Sequence, residues 1–440
     1  MIRKLIAKVY RMLFNKEQIG IYTRLCNYNY SVDDKHKYQI LKLKEVLKVA
    51  LSNVPFYRSY DLNLDDLDYE EFQKLPVISK DTIRNKDLVL VNKSYIKDYT
   101  VVTNTSGGST GEPVTFYQTI KSQHHGIANF YYANYLNGVS PYDRTVDFWG
   151  ALRDMNHTGE FSIRAYLKEF LQNKKVFNTY VLDKKRIDSY IHNINKFRPS
   201  FIKAYVHSLY DISKYINKNN ITIKVKPIIH TTTGPLYPEM RQEISRAFNN
   251  ASVFSFYGSR EVSAIATEIA DQEGMHVMYD NVFVEVLDDE GKPVSVGDEG
   301  EIVITTLNNF YMPLIRYRIG DRGIKGDNNF GTLLIRNVLG RTLGVIYKKD
   351  GGYVDGQYFT TLFFNLDTVK GFQIVQKNIN QIQLNIVKNV NFREGDLDDV
   401  INNIKQQLGI DVEVVIQYCD KINLTATGKI MYVYSEIKSE

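Results

Sequence analysis

From Thr100 to Arg336, short runs of β-branched and aromatic residues alternate with amphipathic stretches of helical length. Strand-like runs fall at 100–103, 201–205, 225–231, 252–256, 282–287, 301–305 and 333–336, and helical patterns cover 120–136, 184–197 and 207–218. Strands alternating with helices predict an α/β core. After Leu339 the texture changes: Gly340-Arg341 and Lys349-Asp350-Gly351-Gly352 mark a turn-rich junction. Beyond it the pattern predicts two strands, a helix near 397–408 and a further strand, the order of a small α+β domain. The expected organisation is an N-terminal helix in 1–21, a large domain over 22–341 and a small C-terminal domain over 342–440.

Composition narrows the function classes. With 43% hydrophobic and 24% charged residues in 440, the chain can bury a sizeable core and is neither disordered nor low-complexity. Lys and Arg exceed Asp and Glu by only five, and no long basic block occurs, which argues against a nucleic-acid partner. Cys26 and Cys419 can build neither a disulfide framework nor a four-thiolate zinc site, so a cytoplasmic protein without structural zinc is expected.

The N-terminus reads separately. Ile2, Leu5, Ile6, Val9, Leu13 and Phe14 recur at helical spacing, while Arg3, Lys4, Lys8 and Arg11 interrupt the run. That is neither a membrane-spanning helix nor a signal-peptide core. The expectation is that the apolar face packs on the body of the protein. The alternative is peripheral contact of residues 1–16 with the inner face of a membrane.

The stretch richest in chemistry is Thr105-Ser106-Gly107-Gly108-Ser109-Thr110-Gly111-Glu112-Pro113. Three glycines let the backbone N–H groups approach a ligand closely, and four hydroxyls can donate to phosphate oxygens. No Gly-Lys-Ser/Thr follows at Walker spacing, so a P-loop nucleotidase is excluded.

This loop resembles the phosphate-binding signature of the adenylate-forming enzymes: acyl-CoA synthetases, luciferases and peptide-synthetase adenylation domains. Further segments are similar to that superfamily's motifs, in its order. Phe256-Tyr257-Gly258-Ser259-Arg260-Glu261 resembles the adenine-binding strand end with its acidic residue, and Tyr317-Arg318-Ile319-Gly320-Asp321 the ribose motif. Gly340-Arg341 resembles the segment leading into the hinge, and Thr427-Gly428-Lys429 the catalytic-lysine motif. Within the superfamily, Val54-Pro55-Phe56-Tyr57-Arg58, Leu75 to Lys80 and Ala204 to Ser208 are similar to the phenylacetate–CoA ligase group and its CapK-type capsular relatives.

The resemblance implies an ATP-dependent, AMP-forming ligase that joins a small carboxylic acid to AMP, releases pyrophosphate and passes the acyl group to an acceptor. Coenzyme A, an amino acid and a sugar stay open as acceptors, and surface-polysaccharide assembly is the implied setting. A carboxylate is already a nucleophile at neutral pH, so the protein's task is alignment and charge neutralisation. By resemblance Ser106, Gly107, Gly108, Ser109, Thr110 and Gly111 hold phosphates, and Glu261 helps hold Mg²⁺. Phe256, Tyr257, Gly258 and Ser259 meet adenine, with Thr232, Thr233, Gly234 and Pro235 lining the nucleotide site. Asp321 accepts from the ribose hydroxyls, Arg341 contacts ribose or phosphate, and Lys429 bridges the carboxylate and α-phosphate. The small domain is then the mobile one. For the acyl pocket, Tyr131 to Tyr135, Trp149, Tyr205 and residues near Phe254 are candidates, whereas His124-His125 read as bystanders on a helix. Two departures from the pattern, Glu112 in the loop and Thr342-Leu343-Gly344 at the hinge, leave a non-catalytic scaffold in polysaccharide assembly as the competing reading.

Overall fold

A computed structural model of the chain describes residues 2–28, 30–86, 89–98, 100–105, 114–149, 163–179, 184–341, 345–349, 353–356, 359, 362–363, 366–422 and 431–437. The chain divides after Val338 into two compact units. The larger begins with helices α1 (Ile2–Phe14), α2 (Lys16–Asn27), α3 (Val32–Asn53), α4 (Tyr69–Gln73) and α5 (Lys80–Lys86). The start of α3 is fixed by Ser31, whose side chain accepts a hydrogen bond from the Asp34 amide at 3.1 Å. A hairpin of β1 (Val101–Thr105) and β2 (Thr115–Thr119) leads into α6 (Ile120–Leu136), capped in the same way by Thr119.

An α/β stretch follows: β3 (Thr145–Trp149), α7 (Ile163–Leu171), β4 (Lys174–Asn178), α8 (Lys184–Phe197), β5 (Phe201–Tyr205), α9 (Val206–Lys218), β6 (Ile228–Thr232), α10 (Pro238–Ala247) and β7 (Val253–Ser259). Then the chain turns antiparallel through β8 (Ser263–Glu268), β9 (Met275–Val277), β10 (Val282–Leu287), β11 (Glu299–Thr306), β12 (Tyr317–Lys325) and β13 (Leu334–Arg341). These strands form one sheet in the order β10-β11-β12-β13-β9-β8-β7-β6-β5-β3-β4. Strands β3 to β7 are mutually parallel, so their carboxyl ends share one edge.

Burial explains the segmentation. On α8, Ile187, Ile191, Ile194 and Phe197 lie on one face and are all buried against β3 to β6, worth about 1.5–3 kcal/mol each. A second cluster joins α3 and residues 54–91 to the antiparallel strands. The segment before α5 is locked there by Arg316, a buried residue with φ +52°. Its guanidinium pairs with buried Glu285 at 3.0 Å and donates to the Leu75 carbonyl at 2.8 Å. Ile78 then exchanges backbone hydrogen bonds with residues 316 and 318.

The smaller unit holds a hairpin of β14 (Val345–Tyr347) and β15 (Tyr353–Asp355), then β16 (Val369–Asn378), β17 (Gln381–Lys388), α11 (Asp398–Leu408), β18 (Glu413–Tyr418) and β19 (Val433–Ser435). Its sheet runs β18-β17-β16-β19 over its own apolar core. The expected strand, strand, helix, strand order is present, with β19 added as a parallel edge strand.

One expectation fails. The apolar face of α1 does not pack on the body: Ile2, Leu5, Val9, Met12, Leu13 and Phe14 are exposed, whereas Ala7 and Arg11 are buried. Basic side chains point inward because the body offers them partners. Arg3 lies 4.7 Å from the Phe170 ring, Lys4 pairs with Asp143 at 2.5 Å, and Arg11 donates to the Tyr131 hydroxyl. No helix among the described residues is long and apolar enough to cross a membrane.

Candidate active site

The carboxyl ends of parallel strands are where open α/β sheets receive ligands. Here Tyr205 ends β5 and pairs with Thr232, which ends β6, while β7 runs on beside them to Ser259. Thr232, Thr233, Gly234 and Pro235 leave the sheet at that edge, with Thr233 at φ +72°. A Cβ on Gly234 would stand 3.0 Å from His207 Nε2. Packing there pushes His207 down to about 4, so its imidazole is neutral at physiological pH.

Beyond Tyr257 the sheet is irregular in ways that aim side chains. Tyr257 pairs with Ala266 but Gly258 with Ala264, a bulge that crowds the two backbones. A Cβ on Gly258 would lie 2.5 Å from the Ser263 carbonyl oxygen, so only glycine fits. On β12, residues 318 and 322 pair with 303 and 301, and Gly320 at φ +87° takes up the extra length. The next residue, Asp321, accepts a 2.8 Å hydrogen bond from the Tyr257 hydroxyl. A carboxylate can accept several hydrogen bonds, which is the chemistry that a vicinal diol requires.

Phe256 and Tyr257, being successive on a strand, point to opposite faces. The Phe256 ring packs edge-on to Phe130 at 5.2 Å and parallel to His230 at 6.5 Å. Glu261 lies in the β7–β8 turn, not at a helix start, and is buried, with the Tyr317 hydroxyl 3.4 Å from Oε1. Gln118 on β2 donates to the Glu261 carbonyl at 3.0 Å and receives Asn104 of β1 at 2.7 Å. Thr105 and Thr115 pair across the base of that hairpin, whose connection is the Gly-rich segment. The hairpin is thereby tied to the turn carrying Glu261.

With this geometry in view, comparison with known proteins is informative. Residues 346–436 match the family model of the CapK C-terminal domain. Over 424 residues the chain is 26% identical to Protein CapK of Staphylococcus aureus, covering 92% of this chain and 90% of that protein. It is 24% identical over 310 residues to the phenylacetate-coenzyme A ligase of Escherichia coli, covering 66% and 67%. The fold matches the crystal structure of a 2-hydroxyisobutyryl-CoA ligase in its postadenylation state with TM-score 0.68 at 16% identity, over 92% of this chain and 90% of that one. In sequence the chain is similar to CapK and to phenylacetate-coenzyme A ligase, and its fold is that of the adenylate-forming ligases.

Of the residues that the motifs select, the structure hydrogen-bonds Tyr257 to Asp321, sets Glu261 against Tyr317 of the ribose motif, and ends β6 at Thr232 beside β7. Arg341 closes β13. Ser106 to Gly111, Glu112, the hinge residues 342–344 and Lys429 lie outside the described residues. Trp149 and Tyr205, at the ends of β3 and β5, have ring centroids 4.6 Å apart. Beside them Lys203 sits 4.6 Å from the Trp149 ring and 4.9 Å from Phe130, and reaches buried Asp147 at 3.3 Å. Burial would raise the Asp147 carboxyl, but Lys174 and Lys203 outweigh that and hold it low. Tyr131, Tyr132 and Tyr135 sit elsewhere: Tyr131 and Tyr135 pack on Tyr22 of α2 and Tyr132 on Tyr279. Gln118 and the Asp147–Lys203 pair carry no motif in isolation, so sequence reading passes over them, and Tyr317 is seen only as part of the ribose motif, without its contact to Glu261. Their signal is spatial.

Proposed function

We propose that this adenylate-forming ligase activates a small carboxylic acid with ATP and transfers the acyl group to an acceptor used in capsular or other surface polysaccharide assembly. The observation that supports it best is the hydrogen bond from Tyr257, at the carboxyl end of β7, to Asp321 of β12, the strand whose Tyr317 also contacts Glu261. In the first half-reaction a substrate carboxylate oxygen bonds to the α-phosphorus while the bond to pyrophosphate breaks. Asp321 accepts from the ribose hydroxyls, and the Tyr257 ring, anchored through its hydroxyl, offers a stacking face to adenine. Ser106 to Gly111 cradle the outgoing phosphates, Arg341 contacts ribose or phosphate, and Lys429 offsets charge at the reacting centre.

The residues present fit magnesium. Glu261 is a buried carboxylate with one long hydrogen bond to its side chain among the described residues, and hard cations take such oxygens together with phosphates and water. When bound, the ion would neutralise phosphate charge. In the second half-reaction the acceptor's lone pair attacks the acyl carbonyl, AMP leaves, and the acceptor loses its proton. A sugar or amino-acid acceptor would suit work on a surface polysaccharide; the similarity to a phenylacetate-coenzyme A ligase favours the coenzyme A thiol as the second reading.

Calorimetry with AMP and ATP–Mg²⁺ tests the site without knowing the acid. Asp321→Ala is expected to weaken AMP about 10- to 100-fold, the worth of hydrogen bonds to a charged acceptor. Carboxylate-dependent pyrophosphate release, lost in Lys429→Ala, then identifies the acid. A wild-type chain that binds neither nucleotide would overturn adenylation in favour of the scaffold role.

A further inference from the structure

Helix α1 is seated with its charged side inward. Along Ile2–Phe14 there are four basic residues and no acidic one. Of the basic residues, Arg3, Lys4 and Arg11 are engaged by the body through Phe170, Asp143 and Tyr131. The opposite stripe is apolar and open: Ile2, Leu5, Val9, Met12 and Leu13 range from 48% exposed at Met12 to 75% at Ile2, and Phe14 is exposed at the helix end. An apolar helix face in a water-soluble setting normally turns to the core, so five exposed large apolar side chains in one stripe call for an occupant.

We propose that this face is a docking surface for an anionic lipid bilayer, lying in the plane of the membrane interface with the ligase body outside the hydrocarbon. Charge complementarity selects that occupant. Lys8, on the flank of the stripe, and Lys16, just past its end, are both exposed and would meet lipid phosphates. Lys4, although paired with Asp143, keeps more than half of its side chain exposed. Neighbouring α7, which packs on α1, adds exposed Leu167 and Lys168. A second copy of the chain would bring the same positive border against itself and be repelled. The proposal does not depend on the adenylation reading, because neither the acid nor the acceptor enters it.

The test is co-sedimentation of the full chain with vesicles of phosphatidylglycerol and phosphatidylcholine, compared with pure phosphatidylcholine. The chain is expected to pellet with the anionic vesicles, and Leu5→Glu with Leu13→Glu to lower that binding by more than about tenfold. Lys8→Glu with Lys16→Glu should remove the preference for anionic over neutral vesicles. Because all four side chains point to solvent, the urea midpoints of both variants should match the wild type, which separates lost docking from lost folding. Failure of the wild type to sediment with anionic vesicles overturns the proposal, as does equal binding by the leucine variant. A dimer seen by light scattering and abolished by the leucine variant would assign the face to a second copy instead.

Discussion

Two buried carboxylates in the larger unit are treated in opposite ways. Asp280 is fully buried and accepts hydrogen bonds from four side chains: Arg24 at 2.9 Å, Tyr38 at 2.7 Å, His125 at 3.1 Å and Asn129 at 3.0 Å. A carboxylate can only accept, so the His125 Nδ1 must carry the proton in that bond. Burial would push Asp280 up, but His125, Tyr38 and Arg24 outweigh it and hold the carboxyl far below its usual range. These donors come from α2, α3 and α6, which Asp280 therefore clamps to the sheet. Glu261, only 7% exposed, has for its side chain a single 3.4 Å bond from Tyr317 among the described residues. A buried charge so thinly supported is costly unless another partner completes it. Saturation fits Asp280 to a structural role, whereas the thin support of Glu261 is what the proposed magnesium-holding role would require.

The widest way to break this contrast is to remove each carboxylate. Asp280→Ala strands Arg24, Tyr38, His125 and Asn129 around a void and should cost roughly 3–5 kcal/mol in urea unfolding. Glu261→Gln keeps an acceptor for Tyr317, so unfolding should shift by less than about 1 kcal/mol. Its pyrophosphate exchange should nevertheless fall about a hundredfold. If the two variants swap, with Glu261→Gln unfolding and Asp280→Ala merely slowing turnover, the assignment of roles is wrong.

Sequence reading sees one of these regions and misses the other, for a physical reason. Glu261 belongs to a contiguous string, Phe256 to Glu261, that can be compared with a family motif. Asp280 acquires its meaning only from residues 24, 38, 125 and 129, which no local pattern links. Local periodicity was enough for α6 and α8, whose observed bounds coincide with the predicted ones. The 22-residue α3 escaped notice because Lys and Asp residues dilute a buried face of Gln39, Leu43, Val46, Leu47 and Ala50. For α1 the helix was legible but its orientation was not. Two stripes, one basic and one apolar, do not say which meets the protein; the decision lies with Phe170, Asp143 and Tyr131, more than a hundred residues away.

His230 sharpens the comparison from the cationic side. It is fully buried between Phe201, Phe254 and Phe256 and takes one hydrogen bond, from Asn137 at 3.1 Å. Burial pushes it from 6.5 down to about 3. Above pH 6.5 the imidazole is neutral in both folded and unfolded chains, and its burial carries no pH-dependent penalty. As the pH falls below 6.5 only the unfolded chain takes up the proton, so stability declines until about pH 3. At about 1.4 kcal/mol per unit, the loss attributable to this residue reaches about 2 kcal/mol by pH 5. His230→Leu should remove that share of the difference between urea unfolding at pH 7 and at pH 5. An unchanged difference would mean that the native fold lets His230 take a proton, and the group would then not be a buried neutral one.

The smallest expected effect probes the one hydrogen bond to the Glu261 side chain among the described residues. Tyr317 is fully buried, and its hydroxyl lies 3.4 Å from Glu261 Oε1, long for an O–H donor to a carboxylate. Tyr317→Phe deletes that hydroxyl and leaves the ring in place, so unfolding should change by about 0.5 kcal/mol or less. The informative readout is magnesium. If the hydroxyl merely orients a carboxylate whose true partner is the cation, the variant should need severalfold more Mg²⁺ for half-maximal pyrophosphate exchange, with the maximal rate preserved. A loss of several kcal/mol with an unaltered Mg²⁺ requirement would instead place Glu261 with Asp280, as part of the framework.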